Sequence, residues 1–437
     1  MLADKTTLTD LSIFESDEEL SIFHHLNHTH TNQGKEFLRY ILNHPLPTVD
    51  AITDIQQLIK HLQLISSQLP TTITNGTLMV IEKFYDTPID SYPKSNSFVE
   101  SFIYTILNKD DYSISKYSLE HIIVFIKGMA QLSSLLQSTN STTLNNWYNT
   151  IQIILSHNLV KSLLQVTTEK NLQPTEVLYF APFLRKHFKN YIFELIDIYS
   201  QLDAYLSLAK VSTKHNYTFP IIQNSTTPYL QAIALYHPLL QTPIGYDIGL
   251  TKENNFLFLT GANMAGKSTF IKAVGVSVYL AHIGMAVPAQ HMKLSLFDGI
   301  LSNIHVSDNI IKGESYFFNE VQRIKNTIQK ISDGKKWLIL IDELFKGTNV
   351  QDAMKCSIAV IEGLCKLNNA LFVLSTHLYE IAEDVKKYNN IQFKYFETSV
   401  QNNQLVFSYE LKQGISNDRI GYLILQREGV VQLLHSL

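Results

Sequence analysis

The chain has 437 residues, 45% hydrophobic and 17% charged, with a formal net charge of −4. That length and apolar content describe a globular protein of about two to four domains with ample core, which excludes a disordered chain. The mild negative balance excludes a globally basic nucleic-acid binder, so any polyanion contact has to come from a local patch. Cys356 and Cys365 are the only cysteines and lack metal-ligand spacing, which fits a reducing cytoplasm. Met1-Leu2-Ala3-Asp4-Lys5 carries no secretory signal pattern, and no uncharged apolar run approaches ~20 residues, so neither export nor a membrane span is expected.

Residues 1 to about 225 read as helical throughout. Lys35–Asn43, Ala51–Ser67, Lys116–Gln137 and Asn190–Thr213 are the clearest stretches. In the last, Ile192, Leu195, Tyr199, Leu202, Leu206 and Ala209 fall at steps of three or four. His44-Pro45-Leu46-Pro47, Ser91-Tyr92-Pro93 and Ser138–Ser141 read as breaks. His24 and His28 share a helix face, but no carboxylate or cysteine partner stands in register. A polar helix end is therefore expected rather than a metal site.

Residues 216–229, with Pro220, Pro228 and several Ser, Thr and Asn, read as the junction between a domain of residues 1–225 and one of residues 226–437. Beyond it, short apolar runs alternate with helical ones. Phe256–Leu259 precedes Lys267–Gly284, Trp337–Ile341 precedes Asp352–Leu367, and Leu371–Leu374 precedes Leu378–Lys387. This is an α/β pattern with a largely parallel sheet. Ile391–Phe396 and Gln404–Leu411 flank Asn402-Asn403 as a β-hairpin, and Arg419–Arg427 reads as a short helix before Gly429.

Gly261-Ala262-Asn263-Met264-Ala265-Gly266-Lys267-Ser268 fits G-x-x-x-x-G-K-[ST] between an apolar strand and a helix, the context of a phosphate-binding P-loop. The glycines let backbone N–H groups approach phosphate oxygens at a helix N-terminus. Lys267 is placed to reach the β and γ phosphates, and Ser268 to ligate Mg²⁺. Leu338–Ile341 runs into Asp342 and Glu343, a strand ending in two acids. Asp342 suits the metal and Glu343 suits an attacking water. Leu371–Leu374 leads into Ser375-Thr376-His377, where the histidine could bond the γ-phosphate or that water. Gly313-Glu314-Ser315 opens a helix with Phe317, Val321, Ile324, Ile328 and Ile331 on one face. Ser315 is a good N-cap with its hydroxyl at the positive helix end, which serves either as a cap alone or as a second anion site facing a phosphate bound by another subunit.

The set Thr260–Thr269, Gly313-Glu314-Ser315 with Glu320, Leu340–Thr348 and Ser375-Thr376-His377 resembles the MutS family, a branch of the ABC-type ATPases. Asn263-Met264 inside the loop is its most specific part. Leu235–Leu239, Val287-Pro288-Ala289, Leu202–Ala209, Asn27–Gly34 and His44-Pro45-Leu46 extend it outward. The resemblance implies an α/β P-loop (ABC-type) ATPase domain preceded by an all-α core and lever domain. It implies ATP and Mg²⁺ as cofactors and a homodimer with nucleotide sandwiched between subunits. By matching position, Gly261 through Thr269 line the phosphates, Ser268 and Asp342 hold the metal, and Glu343 and His377 are catalytic. Ser315 touches the partner's nucleotide, Asp352 lies in the loop crossing the interface, and Ile244 and Tyr409 stack on the base.

Departures accompany the match. Ala262 and Ala265 stand for Pro and Gly, Phe345 for Gly, Asn349 for Ser or Thr, and Asn303 and His305 for Arg and Gly. The chain enters the core almost at once, and its F-x-E triplets, Phe98-Val99-Glu100 and Phe318-Asn319-Glu320, are not N-terminal. A short form without the mismatch-reading domain is therefore expected. The implied function is a cytoplasmic ATPase whose dimer switch acts on DNA or on a repair protein, with no membrane partner. The alternative is a nucleotide switch that acts on proteins alone.

Overall fold

A computed structural model of the chain describes residues 1–89, 92–93, 97–137, 139–166, 172–304, 316–401, 404–416 and 430–435. In chain order its helices are α1 (Lys5–Asp10), α2 (Ile22–Leu26), α3 (Asn32–Asn43), α4 (Val49–Ile65), α5 (Asn75–Asp86), α6 (Phe98–Leu107), α7 (Lys109–Leu135), α8 (Thr142–Leu155), α9 (Asn158–Leu164), α10 (Pro174–His187), α11 (Lys189–Lys214), α12 (Lys267–His282), α13 (Tyr316–Ile331), α14 (Val350–Leu364), α15 (Ile381–Val385) and α16 (Val430–His435). The strands are β1 (Leu2–Ala3), β2 (Ile221–Gln223), β3 (Leu230–Leu235), β4 (Tyr246–Leu250), β5 (Phe256–Thr260), β6 (His291–Ser295), β7 (Gly299–Asn303), β8 (Trp337–Asp342), β9 (Ala370–Ser375), β10 (Ile391–Gln401) and β11 (Gln404–Gln413). Ser315 and the expected helix Arg419–Arg427 lie outside the described residues.

Two compact units emerge, one of residues 26–43 and 54–214 and one of residues 1–25, 44–53 and 215–437. The chain passes between the units at residues 214 and 215, so residues 215–225, expected in the helical domain, belong to the other unit. In space the first 25 residues and residues 44–53 pack with the C-terminal half.

The first unit is helical throughout its described residues. Its long helices α7 and α11 bury Leu119, Ile122, Ile126 and Met129 on one and Ile192, Leu195, Leu202 and Leu206 on the other. A buried carboxylate ties the entry of α3 to α11. Asp203 accepts from the amides of His30 (3.0 Å) and Thr31 (2.9 Å) and from the Thr31 hydroxyl (2.8 Å), and the Thr31 oxygen in turn accepts from Gly34 N at 3.0 Å. These contacts satisfy donors that a helix start leaves open. His30 therefore packs as a partner of Asp203, with Nδ1 3.1 Å from its carboxylate.

The second unit is α/β. Its seven-stranded sheet has the order β1-β7-β8-β9-β5-β10-β11, and every pairing is parallel except β10 with β11. β5, β8 and β9 are buried along their whole length, as parallel strands covered on both faces must be. Phe256, Phe258, Ile339, Ile341, Phe372 and Leu374 pack with Ile324, Ile331, Ile361 and Leu364 of α13 and α14. A second sheet, β2-β6-β3-β4, is mixed.

Candidate functional site

Strands β5, β8 and β9 are neighbours, and their carboxyl ends converge. In the register Ser375 stands opposite both Leu259 and Asp342. The main chain closes the turn there, with Glu343 N donating to Ser375 O at 3.0 Å and Thr376 N to Leu259 O at 2.9 Å. Asp342 is buried, and its carboxylate accepts the Ser375 hydroxyl. The carboxyl end of such a sheet is where ligands bind in open α/β folds.

The loop from β5 to α12 is built on glycine. Gly261 and Gly266 have φ of +134° and +110°. A Cβ on Gly261 would stand 3.0 Å from the Phe396 carbonyl oxygen, and one on Gly266 would stand 3.4 Å from the Tyr409 ring. Conformation disfavours a side chain at both, and at Gly261 crowding against the Phe396 carbonyl adds to it. Lys267, the first residue of α12, is buried and turns back into the loop. Its Nζ donates to Gly261 O at 2.7 Å and Ala262 O at 2.9 Å. Burial lowers its pKa, against the pull of the Glu343 and Asp342 carboxylates. Asn263, Met264 and Ser268 are exposed on the rim, Thr269 is half-buried, and Ala262 and Ala265 are buried beneath.

Glu343 sits at φ +64° just past β8. One carboxylate oxygen lies 3.5 Å from Lys346 Nζ and the other 3.5 Å from His377 Nδ1. Burial pushes its pKa up, but His377, Lys346 and Lys267 outweigh that and hold it at about 2. The carboxylate is therefore ionised at neutral pH. The loop beyond it is fastened from α13: buried Glu320 accepts from the amides of Lys346 and Gly347, both at 3.4 Å. Burial raises the Glu320 pKa, and those amides oppose the rise.

A cleft of about 530 Å³ opens over the loop, lined by Leu240, Thr242, Ile244, Tyr246, Ala262, Asn263, Met264, Gly266, Lys267, Ser268, Thr269, Glu343 and Tyr409. Phosphate-loop residues, the acid and the two expected base-stacking positions thus share one cavity. Tyr409 reaches it through a bulge: pairing steps from Phe396–Leu411 to Thr398–Phe407, and Tyr409 has φ +54°. Below, the rings of Tyr246, Phe270 and Phe396 meet at 5.5–6.1 Å. Asp342 and His377 adjoin Glu343 but do not line the cleft. Asp352 lies apart, exposed in the first turn of α14, where its N–H donates to the capping Asn349 side chain at 3.0 Å. Sequence reasoning assigned no chemistry to Lys346, Glu320 or Tyr246. The first two are letters of the quoted motifs, whereas nothing in a short half-exposed strand marks Tyr246.

A family model described as MutS domain V matches residues 257–432. Over 225 residues the chain is 31% identical to the DNA mismatch repair protein MutS of Anaplasma phagocytophilum, which covers 51% of this chain and 27% of that protein. The like-named protein of Pseudothermotoga lettingae is 30% identical over 238 residues, 53% of this chain and 28% of that one. That of Shouchella clausii is 29% identical over 280 residues, 62% and 32%. The chain is thus similar to MutS proteins over about half of its length. It spans about a third or less of the length of these MutS proteins. The MutS domain V match holds the glycine loop, the acid pair, His377 and Tyr409, and begins after Ile244 and Tyr246. Among the described residues no helix is long and apolar enough to cross a membrane.

Proposed function

We propose that the cleft binds ATP with Mg²⁺ and hydrolyses it, and that the nucleotide state switches a dimer acting on DNA in mismatch repair. The observation that carries this reading is the convergence of Lys267, Asp342, Glu343 and His377 at the ends of three adjacent parallel strands, beside a cleft shared with Ile244 and Tyr409. The residues suit the cofactors. Ser268, exposed at the first turn of α12, and Asp342, whose side chain accepts the Ser375 hydroxyl, would hold Mg²⁺, which supplies charge neutralisation for the phosphates. The open N–H groups at the start of α12 would take phosphate oxygens. Lys267 would exchange two loop carbonyls for phosphate. Glu343 would orient water and accept its proton, with Lys346 and His377 fixing its two oxygens. Ile244 and Tyr409 would sandwich the base. Closure over a partner's nucleotide by Ser315 and Asp352 rests on the family resemblance.

The test is nucleotide affinity in Lys267→Met, which keeps the buried stem and removes the charge. Loss of a buried charge–phosphate contact should weaken ATP binding by about 100-fold or more. Unchanged affinity, with an unchanged circular dichroism spectrum, would remove Lys267 from the site.

A further inference from the structure

Helix α6 carries its apolar side outward. Its buried residues are Ser101 and Tyr104, and the Tyr104 ring stacks on Tyr92 at 6.3 Å and 25°. Phe98, Val99, Phe102, Ile103, Ile106 and Leu107 are all exposed, from 47% at Ile103 to 77% at Phe98. At 100° per residue these six fill the half-turn opposite Ser101 and Tyr104. An ordinary surface helix has the reverse arrangement. The helix is properly started, because Ser97 caps it by accepting from Glu100 N at 3.3 Å, so the outward face is not the product of a frayed end.

The patch has a definite shape. Phe98, Phe102 and Ile106 form one i, i+4 row, and Val99, Ile103 and Leu107 form the next, with a groove between them. Two such surfaces complement each other, the row of one copy entering the groove of the other at a crossing angle near −50°. Six side chains at these exposures present about 700 Å² per copy, more than monomers usually leave in one patch. Two copies face to face would bury at most about 1,400 Å², which reaches the lower part of the range of specific stable interfaces. The exposed charges nearest to it in sequence are Glu100, Lys109 and Asp110.

We propose that α6 is a homodimer surface of this chain, with Phe102 and Ile103 nearest the two-fold axis, and that it works without nucleotide. It is separate from the cleft in residues and in requirement, so it stands or falls independently of the ATP reading.

The experiment is the mass of the full, nucleotide-free chain by light scattering across a concentration series, for wild type and Phe102→Lys/Ile106→Lys. Both positions are exposed, and circular dichroism checks the fold. Wild type should rise from 49.9 kDa to twice that mass, while the double variant stays at 49.9 kDa. In parallel, Ile103→Cys should form an oxidised cross-linked dimer that wild type, with its own Cys356 and Cys365, does not. This arm carries the test if the double variant misfolds. A wild type that stays monomeric to ~100 μM, an equally dimeric double variant, or no added cross-link with Ile103→Cys would each overturn the proposal. Flotation of monomeric wild type with phosphatidylcholine vesicles would overturn it too, making lipid the occupant.

Discussion

Phe345 stands at φ +59°, where the family resemblance leads one to expect glycine. For a bulky residue that backbone conformation costs on the order of 1–3 kcal/mol. The ring recovers the cost by burial, 4% exposed and 5.7 Å from the Phe317 ring. Restoring the residue the backbone prefers should therefore not help. Phe345→Gly relieves the strain but gives up a buried aromatic side chain, whose removal costs about 3–5 kcal/mol. A net loss of ~2 kcal/mol is expected in urea unfolding, and a gain in stability would show that strain outweighs packing here. The same accounting explains why Glu320 works from a distance. It touches no cleft atom, yet it accepts from the two amides that follow Phe345, in the loop that carries Lys346 to Glu343.

At the scale of elements, α12 carries both the loop and a buried histidine. His282, near its C-terminus, lies 2.8 Å through Nδ1 from Val278 O, and Nε2 accepts from Phe297 N at 3.0 Å. That pattern requires the neutral ring, and burial holds its pKa down to about 4, in spite of the Val278 bond. Between about pH 6.5 and 4 the unfolded chain binds a proton here that the folded chain refuses, so stability falls as pH falls through this window. His282→Gln should flatten that part of the denaturant-midpoint profile, and an unchanged slope would place the acid sensitivity elsewhere. The elements legible in the sequence were those with a strong pattern. The buried runs of β5, β8 and β9 and the helical period of α11 needed nothing beyond the chain itself. Strand β1, two residues long, and β2, β3, β4 and β6, short and half-exposed, carry too little pattern to read. The bulge that turns Tyr409 over Gly266 belongs to the pairing with β10, and a single strand does not announce it.

For the whole molecule, Asp342, Glu343 and Lys267 were legible because a loop pattern and strand-end acids imply each other. That Ile244 and Tyr409, 165 positions apart in sequence, line one cleft needed the fold. Spatial mixing also escaped the sequence: residues 1–25 join the α/β unit through pairing of β1 with β7 and burial of Asp10, whose carboxylate accepts from Ser302 Oγ at 2.6 Å and Arg323 at 3.0 Å. If the switch acts on DNA, a chain of net charge −4 must do so through a local basic patch. Two or more phosphate contacts would weaken duplex binding about tenfold or more between 50 and 200 mM salt. A salt-independent affinity, or none at either concentration, would turn the account toward a protein partner.

The account rests on Glu343 acting on water at a cleft that holds ATP by other groups. The direct measurement is ATP affinity and phosphate release, side by side, for wild type and Glu343→Gln with Mg²⁺. The account predicts that the variant binds ATP as tightly as wild type and releases phosphate at least ~100-fold more slowly. Equal turnover by the two proteins would contradict it.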